Sequence, residues 1–235
     1  MKTCLLAFDT STELLAVALH AQGRERTLQM PGGAAASGAL LPAIHRLLDD
    51  AGIGLGALDA IAFGRGPGAF TGLRTSCAVA QGLALGLGRP VLPIDSLLVV
   101  AEDARRQAAP QAGAFDVGVA MDARMNEAYA ARYRWDAGRW QVVSPPALYT
   151  LPALAAAWTE APRWLAGSAF AAFGERLALA PELPRLGVER DRAAALIALA
   201  RAAHAAGEAV DAALALPLYL RDKVALTTRE REALR

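Results

Sequence analysis

The feature that most constrains this chain is the stretch Asp59–Val100, in which a glycine-rich loop separates two short apolar runs. The runs, Ala60–Phe63 and Val91–Ile94, are bounded by glycine or proline, a pattern typical of strands covered on both faces. The loop Gly64–Gly72 holds four glycines and one proline in nine positions, so it permits positive φ angles and close approach of another backbone. A helix over roughly Gly72–Leu87 should follow. The stretch therefore predicts a strand–loop–helix–strand unit of an α/β fold.

The predicted helix is unusual in its small side chains. Thr71 is expected to cap its start, and Gly88 and Pro90 to end it. A glycine inside a helix costs about 1 kcal/mol relative to alanine, so a gain in packing must offset it. Either the helix packs closely on its own sheet, or it also meets a partner chain at short distance. Its two small-residue ridges are Ser76, Ala80 and Ala84, and Ala78, Gly82 and Gly86.

Apolar periodicity predicts further elements before this unit: strands at Thr3–Phe8, Leu15–Leu19 and Glu25–Met30, and a helix over Leu40–Ala51. Gly52 should end that helix. Pro42 conflicts with a start at Ser37, so the helix either begins near Pro42 or is kinked there. The first half then has the order β-β-β-α-β-α-β-α.

The second half begins in the same way, because the apolar run Asp116–Met121 ends at Asp122 as the first strand ends at Asp9. This repetition predicts two similar halves around a cleft, residues 1–105 and 106–235. The second is degenerate, and its C-terminal segment could pack back on the first. Its other predicted elements are a hairpin of Glu127–Trp135 and Arg139–Val143 broken at Pro145-Pro146, helices over Leu151–Thr159 and Ala193–Ala206, and a strand at Trp164–Ala166.

Composition and charge exclude several classes of protein. The net charge of +1 argues against a nucleic-acid binder that acts alone, so any RNA contact would need a partner. Cys4 and Cys77 are expected to be free buried thiols in a reducing compartment. The first residues carry too short an apolar run for a signal peptide, and no stretch is apolar enough to cross a bilayer. We expect a cytoplasmic protein without a membrane partner.

Polar residues follow the first strand of each half, at Asp9-Thr10-Ser11 and at Asp122. A carboxylate can hold Mg²⁺ while hydroxyls and backbone N–H groups contact phosphate, so these four residues are candidates for nucleotide binding. Alternatively, both aspartates only cap turns. The loop Gly64–Gly72 lacks the Lys-Ser/Thr pair of a Walker A motif. It could bind an anion at a helix N-terminus, or serve packing alone.

No catalytic set and no metal site are predicted. His20, His45 and His204 are far apart, and no His-x-x-x-His or Cys-x-x-Cys spacing exists. The chain also lacks the Gly-x-Ser-x-Gly motif of a nucleophile elbow.

Five stretches carry a family resemblance: Leu5–Thr12, Asp59–Arg74, Ala80–Ala84, Met121–Arg124 and Pro217–Ala225. Together they resemble the TsaB family, the dimerisation subunit of the bacterial tRNA threonylcarbamoyladenosine machinery. The most specific of them is the run Gly-Arg-Gly-Pro-Gly-x-Phe-Thr-Gly-x-Arg that begins at Gly64.

The resemblance implies an ASKHA (actin-like ATPase) fold of two ribonuclease-H-like βββαβα halves around a cleft, in agreement with the element order. It also implies a non-catalytic subunit that pairs with and activates a catalytic paralogue, TsaD, together with a TsaE-like ATPase. TsaD transfers a threonylcarbamoyl group to an adenosine beside the tRNA anticodon. The chain would meet tRNA only through the complex and would form a homodimer when alone. It would have no cofactor of its own, although ATP and Mg²⁺ could bind at the junction of the complex.

Comparison with TsaD separates the two paralogues. After the second apolar strand, TsaD proteins carry an Asn-His-x-x-x-His segment whose histidines bind the catalytic metal. In the matching segment here, Ser96 and Val100 stand at the histidine positions, and they cannot replace two imidazole ligands. Asp9-Thr10-Ser11 also lacks the glycine of the Asp-x-Gly-Thr loop in nucleotide-using members.

Two alternative functions belong to other classes. One is an independent Mg²⁺-dependent ATPase or phosphotransferase of ASKHA fold that would use Asp9 and Asp122. The other is a glycoprotease-like peptidase, against which the missing metal ligands count.

The resemblance places the partner surface on the helices Leu40–Asp50 and Gly72–Leu87. If so, Ala80→Arg should abolish pairing without unfolding the protein, whereas a purely internal Ala80 predicts a loss of thermal stability. The predicted contact residues are Leu40, Leu41, Ile44, Leu48, Leu73, Ser76, Ala80 and Leu83.

Overall fold

The computed structural model describes residues 3–108 and 113–221, which form two five-stranded sheets. The strands of the first sheet are β1 (Leu5–Asp9), β2 (Leu14–Ala21), β3 (Arg24–Pro31), β4 (Ala60–Gly66) and β5 (Val91–Asp95). They lie in the order β3-β2-β1-β4-β5, with β1 antiparallel to β2 and parallel to β4. Helix α1 (Ala36–Ala51) precedes β4, and α2 (Phe70–Leu87) supplies the crossover between β4 and β5.

The second sheet repeats this arrangement. Its strands are β6 (Ala114–Asp122), β7 (Glu127–Asp136), β8 (Arg139–Thr150), β9 (Trp164–Ala166) and β10 (Arg185–Leu186). Their order β8-β7-β6-β9-β10 has the same sense as the first sheet, with β6 antiparallel to β7 and parallel to β9. The strands β9 and β10 have only three and two residues. The repeated order confirms the predicted ASKHA fold of two ribonuclease-H-like halves, the second reduced.

The remaining helices are α3 (Ser96–Ala108), α4 (Leu151–Ala157), α5 (Ala169–Phe173) and α6 (Arg192–Ala205). Helices α1 and α2 cover one apolar face of the first sheet, and α6 covers the other face. Although α6 follows the second sheet in sequence, it therefore packs on the first. The segment after it, residues 206–221, also returns to the first half, where the Leu218 N–H donates to the carbonyl oxygen of Arg65 at 2.7 Å. We call this segment the C-terminal run.

Helix α3 connects the two halves. Its residues Leu97, Val100 and Ala104 pack against Val117 and Tyr133 of the second sheet. The predicted domain boundary between residues 105 and 106 falls inside this helix and stays a prediction. The charged end Arg229–Arg235 lies outside the described residues, as do positions 222–225 of the last family stretch.

Two predicted helix boundaries differ from the structure. Helix α2 begins at Phe70 after Ala69, which makes no side-chain capping bond, so the prediction that Thr71 caps this helix is wrong. Helix α1 begins at Ala36 and contains Pro42, so it does not begin near the proline. The predicted stops are confirmed, because Gly52 and Gly88 adopt the left-handed conformation that ends a helix.

The proline pair in the second half does not break its strand. Strand β8 runs through Pro145 and Pro146 to Thr150, contrary to the prediction. Its pairing with β7 shifts register between Arg132 and Ala130, which leaves an irregularity at the prolines. Because β8 is an edge strand, a residue without an N–H group is tolerated there.

Candidate functional site

A cleft of about 540 Å³ lies where the carboxyl end of β1 faces that of β6. Much of its lining is apolar and comes from both halves and the C-terminal run: Phe70, Leu73, Leu97, Val100, Met121, Tyr129 and Leu218. Of the four residues predicted to bind nucleotide, Ser11 and Asp122 line this cleft. Asp9 and Thr10 are fully buried behind the lining. Two of the four predicted nucleotide-binding residues therefore line the cleft, and the other two are buried beneath it.

Asp9 forms an ion pair with Arg192, and the two side chains are 0% and 1% exposed. Arg192 Nη2 lies 2.8 Å from Asp9 Oδ2. The same oxygen accepts a hydrogen bond from Ser96 Oγ at 3.0 Å, and Asp9 Oδ1 accepts one from the Ser11 N–H at 2.7 Å. Both carboxylate oxygens of Asp9 are therefore engaged inside the chain.

The charge of Arg192 determines the protonation of Asp9. Burial raises the pKa of this carboxyl, but the Arg192 charge and the hydrogen bonds from Ser11 and Arg192 outweigh burial and hold the pKa below its ordinary value. The pKa of Arg192 is raised, because Glu189 and Asp9 together outweigh its burial. Removing one partner of such a buried pair destabilises a protein by about 3–5 kcal/mol.

Thr10 faces helix α2 instead of the cleft. Its hydroxyl donates to the Gly72 carbonyl at 2.7 Å, and its backbone N–H donates to Ser76 Oγ at 3.0 Å. The glycines of the loop allow this close approach, because a side chain would collide with the end of β1. An ideal Cβ on Gly72 would lie 1.9 Å from the Thr10 carbonyl oxygen, one on Gly68 would lie 2.6 Å from the Ser11 carbonyl oxygen, and one on Gly64 would lie 2.0 Å from Asp9 Oδ2. The glycine-rich loop is therefore shaped by packing against the end of β1, one of the two alternatives that the sequence left open.

Asp122 holds the turn between β6 and β7. Its Oδ1 accepts from the Arg124 N–H at 2.8 Å, and the Arg124 guanidinium lies 3.5 Å from Oδ2. Its own N–H donates to Ser168 Oγ at 3.1 Å. These contacts match the alternative in which Asp122 caps a turn, although its side chain still reaches the cleft.

The two positions that correspond to the paralogue's metal ligands are used inside the chain. Ser96 Oγ donates to Asp9 and accepts from the Gly66 N–H at 3.1 Å. Val100 is 2% exposed and packs in the core between α3 and the second sheet. Both residues line the cleft, but the Ser96 hydroxyl is engaged by Asp9 and Gly66, and the Val100 side chain has no atom that could bind a metal.

Most of the predicted partner contacts are buried in this chain. Leu41 is 44% exposed and Leu83 is half-buried. Ala80 is fully buried, so an arginine at this position would have to enter the core. Ala80→Arg is therefore expected to unfold the protein, contrary to the prediction from sequence. The six buried members are Leu40, Ile44, Leu48, Leu73, Ser76 and Ala80.

Of the two small-residue ridges of α2, the one formed by Ala78, Gly82 and Gly86 is exposed. Leu85, on the same helix face, is 80% exposed. The C-terminal run lies alongside, since Gln81 Nε2 donates to the Ala215 carbonyl at 2.8 Å. We call the exposed face of α2, together with the exposed leucines on either side of Ala215, the α2 surface; its residues are Ala78, Gly82, Leu85, Gly86, Leu214 and Leu216.

Sequence reasoning missed Arg192 and Glu189. Arg192 lies 183 residues after Asp9 and directly before the predicted alanine-rich helix. No motif in the sequence links the two residues, so only the packing of α6 on the first sheet could reveal the pair.

Comparison with known proteins identifies the family. A TsaB protein of Haemophilus influenzae is 43% identical over 125 residues, which cover 53% of this chain and 51% of that protein. The TsaB of Escherichia coli is 38% identical over 142 residues, or 56% of this chain and 55% of that protein. A Pseudomonas aeruginosa crystal structure, described as similar to the peptidase YEAZ, has a TM-score of 0.83 and 41% identity, and the match covers 93% of this chain and 100% of that one. The family model "TsaD: tRNA N6-adenosine threonylcarbamoyltransferase" matches residues 31–228.

The chain belongs to the TsaB family. The alignments span about half the length of the curated TsaB relatives. In the part of this TsaB-family chain that the structure describes, no helix has the length and apolar character needed to cross a membrane. Nor do three or more His, Cys, Asp or Glu side chains within residues 3–108 and 113–221 form a group that could hold a metal ion.

Proposed function

We propose that this chain is a non-catalytic partner subunit in the biosynthesis of tRNA threonylcarbamoyladenosine. It would pair with and activate a TsaD-like catalytic paralogue, together with a TsaE-like ATPase. The names of its TsaB relatives and the match to a threonylcarbamoyltransferase family model support the pathway.

One observation carries the non-catalytic role. Ser96 and Val100 stand where the resemblance places the paralogue's metal-binding histidines, and both are buried in internal contacts. A hydroxyl bound to Asp9 and an aliphatic side chain provide no pair of imidazole ligands. The metal chemistry of the transfer would therefore belong to the partner.

The α2 surface is the proposed contact with that partner. It combines exposed apolar side chains with glycine and alanine positions that allow two helices to approach closely. At Gly82 and Gly86 an added Cβ would meet no atom within 4 Å, so neither glycine is required by the chain's own packing. Their small size instead suits a helix from a second chain. The same surface would support a homodimer when the chain is alone.

Nucleotide and tRNA would bind to the assembled complex and not to this chain alone. The sealing of Asp9 by Arg192 disfavours a metal–nucleotide site within this chain. ATP and Mg²⁺ would bind at the junction of the complex, and the net charge of +1 suits a subunit whose partner supplies most of the tRNA contact.

The test is a reconstituted threonylcarbamoyl transfer to tRNA with purified TsaD, TsaE and the adenylate-forming enzyme. Transfer should require both this chain and TsaD, and the chain alone should transfer nothing. Leu85→Glu should abolish activation, whereas Val142→Glu, at a 59% exposed position on β8, should not. Full transfer without the chain would refute the proposal and favour the independent phosphotransferase.

A further inference from the structure

The guanidinium of Arg192 lies among oxygen atoms from four residues. Nη2 is 2.8 Å from Asp9 Oδ2, 3.3 Å from Ser11 Oγ and 3.5 Å from the Ser96 carbonyl oxygen. Nη1 is 2.5 Å from Glu189 Oε2. Two carboxylates, a hydroxyl and a backbone carbonyl are the hard oxygen donors that Mg²⁺ and Mn²⁺ prefer.

A divalent cation does not fit beside this side chain. Arg192 is 1% exposed and fills the space in front of Asp9, and its positive charge would repel a second cation held by the same carboxylate. The ASKHA fold implies a metal–nucleotide site near the end of β1. The residues present here do not fit such a site, because Arg192 takes the place that a cation would need.

The surrounding elements fix Arg192 in place. Its backbone N–H donates to Gln29 Oε1 of β3 at 2.9 Å. The N–H groups of Arg190 and Asp191 donate to the carboxylate of Asp103 in α3, at 3.0 and 2.9 Å. The start of α6 is thus held from two sides, which fixes the backbone from which the Arg192 side chain extends to Asp9.

We propose that Arg192 is a built-in counter-cation that keeps Asp9 from holding a divalent metal, and that the oxygen atoms around it become a divalent-cation site when the guanidinium is removed. In the wild-type chain the ion pair between Arg192 and Asp9 holds α6 against the end of β1, and no bound ligand is needed for this contact. This inference concerns the isolated chain and does not depend on the proposed assembly.

The experiment measures Mn²⁺ binding by electron paramagnetic resonance and thermal unfolding with and without Mn²⁺. Arg192→Ser removes the charge and leaves room for an ion, so it should gain saturable binding of one Mn²⁺ and unfold at a higher temperature in its presence. The wild-type chain should show neither effect. Arg192→Met, which removes the charge but fills the space, should also bind no Mn²⁺.

The double variant Asp9→Asn/Arg192→Ser distinguishes this site from other carboxylates at the cleft, and it should lose the Mn²⁺ binding. Three results would overturn the proposal. The first is wild-type Mn²⁺ binding that Asp9→Asn removes. The second is a folded Arg192→Ser that gains no binding. The third is an Arg192→Ser chain that fails to fold even in Mn²⁺, because the ion should take the place of the lost charge.

Discussion

Tyr133 of β7 donates its hydroxyl to Asp95 at the end of β5, and this hydrogen bond joins the two halves. Tyr133 is fully buried, and Asp95 Oδ1 also accepts from the Leu97 N–H at 2.9 Å. Burial raises the pKa of Asp95 above its ordinary value, although the bonds from Tyr133 and Leu97 oppose the rise. The junction between the halves therefore rests on a carboxyl whose charge is costly there.

Tyr133→Phe should weaken this junction. The change leaves a buried carboxyl without one donor, so the free energy of unfolding in urea should fall by about 1.5–3 kcal/mol at neutral pH. Because the folded pKa of Asp95 is raised above the unfolded value of about 4, the contribution of this carboxyl to stability is most favourable in acid and declines as the pH rises. The Tyr133 bond opposes that decline by favouring the charged form, so the stability lost in the variant should be largest at neutral pH and should shrink in acid. Tyr149→Phe, at a half-buried position on β8, is the matched control. Equal losses in the two variants would refute the role of the junction.

The fold was predictable from sequence because its signals are local. Glycines at both ends of the strand–helix–strand unit and short apolar runs predicted the order of elements along the first half and the start of the second. The inward face of α2 was not predictable, since Ala80 and Gly82 belong to ridges of equally small residues and only the position of the sheet decides between them. The partner of Asp9 was hidden for the same reason: Arg192 is distant in sequence, and α6 could have packed on either half.

Asp116 should contribute to the decrease in the free energy of unfolding as the pH falls into the acid range. Arg132 Nε and Arg134 Nη2 lie 2.9 and 3.0 Å from its carboxylate. Burial raises the pKa of Asp116, but the hydrogen bonds and charges of the two arginines outweigh burial and lower the pKa. Because the folded pKa is below the unfolded one, the contribution is present above about pH 4 and is lost as the pH falls. Asp116→Asn should therefore be less stable than wild type at neutral pH, and the difference should shrink in acid.

Arg132→Gln tests the cause assigned to this shift. Without that arginine, Asp116 should lose much of the charge that lowers its pKa, so the variant should also lose stability mainly at neutral pH. Urea unfolding across the acid range gives both profiles. If the difference in free energy of unfolding between wild type and variant stays constant with pH for both variants, the ionisation of Asp116 does not contribute to stability as proposed.

Gly64→Ala should break the network around Asp9. An ideal Cβ at Gly64 would lie 2.0 Å from Asp9 Oδ2, so the carboxylate would have to move away from Arg192. Disruption of the buried pair should lower the free energy of unfolding by about 3 kcal/mol or more. Gly86→Ala is the control, because its Cβ would meet no atom within 4 Å and the helix should gain about 0.5–1 kcal/mol. Equal unfolding midpoints in the two variants would show that the loop tolerates a side chain.

The same substitution on two faces of α2 separates folding from pairing. Ala80→Arg should unfold the chain, because Ala80 is fully buried in the first core. Gly82→Arg should keep the fold, since its Cβ points into open space and arginine favours a helix by about 0.8 kcal/mol over glycine. Its bulk should nevertheless prevent close approach of a second helix, and gel filtration should show loss of pairing with the TsaD-like partner and with a second copy. Val142→Arg, at an exposed position on β8 of the second sheet, should pair as wild type. If Gly82→Arg pairs normally while it remains folded, the partner does not bind the α2 surface.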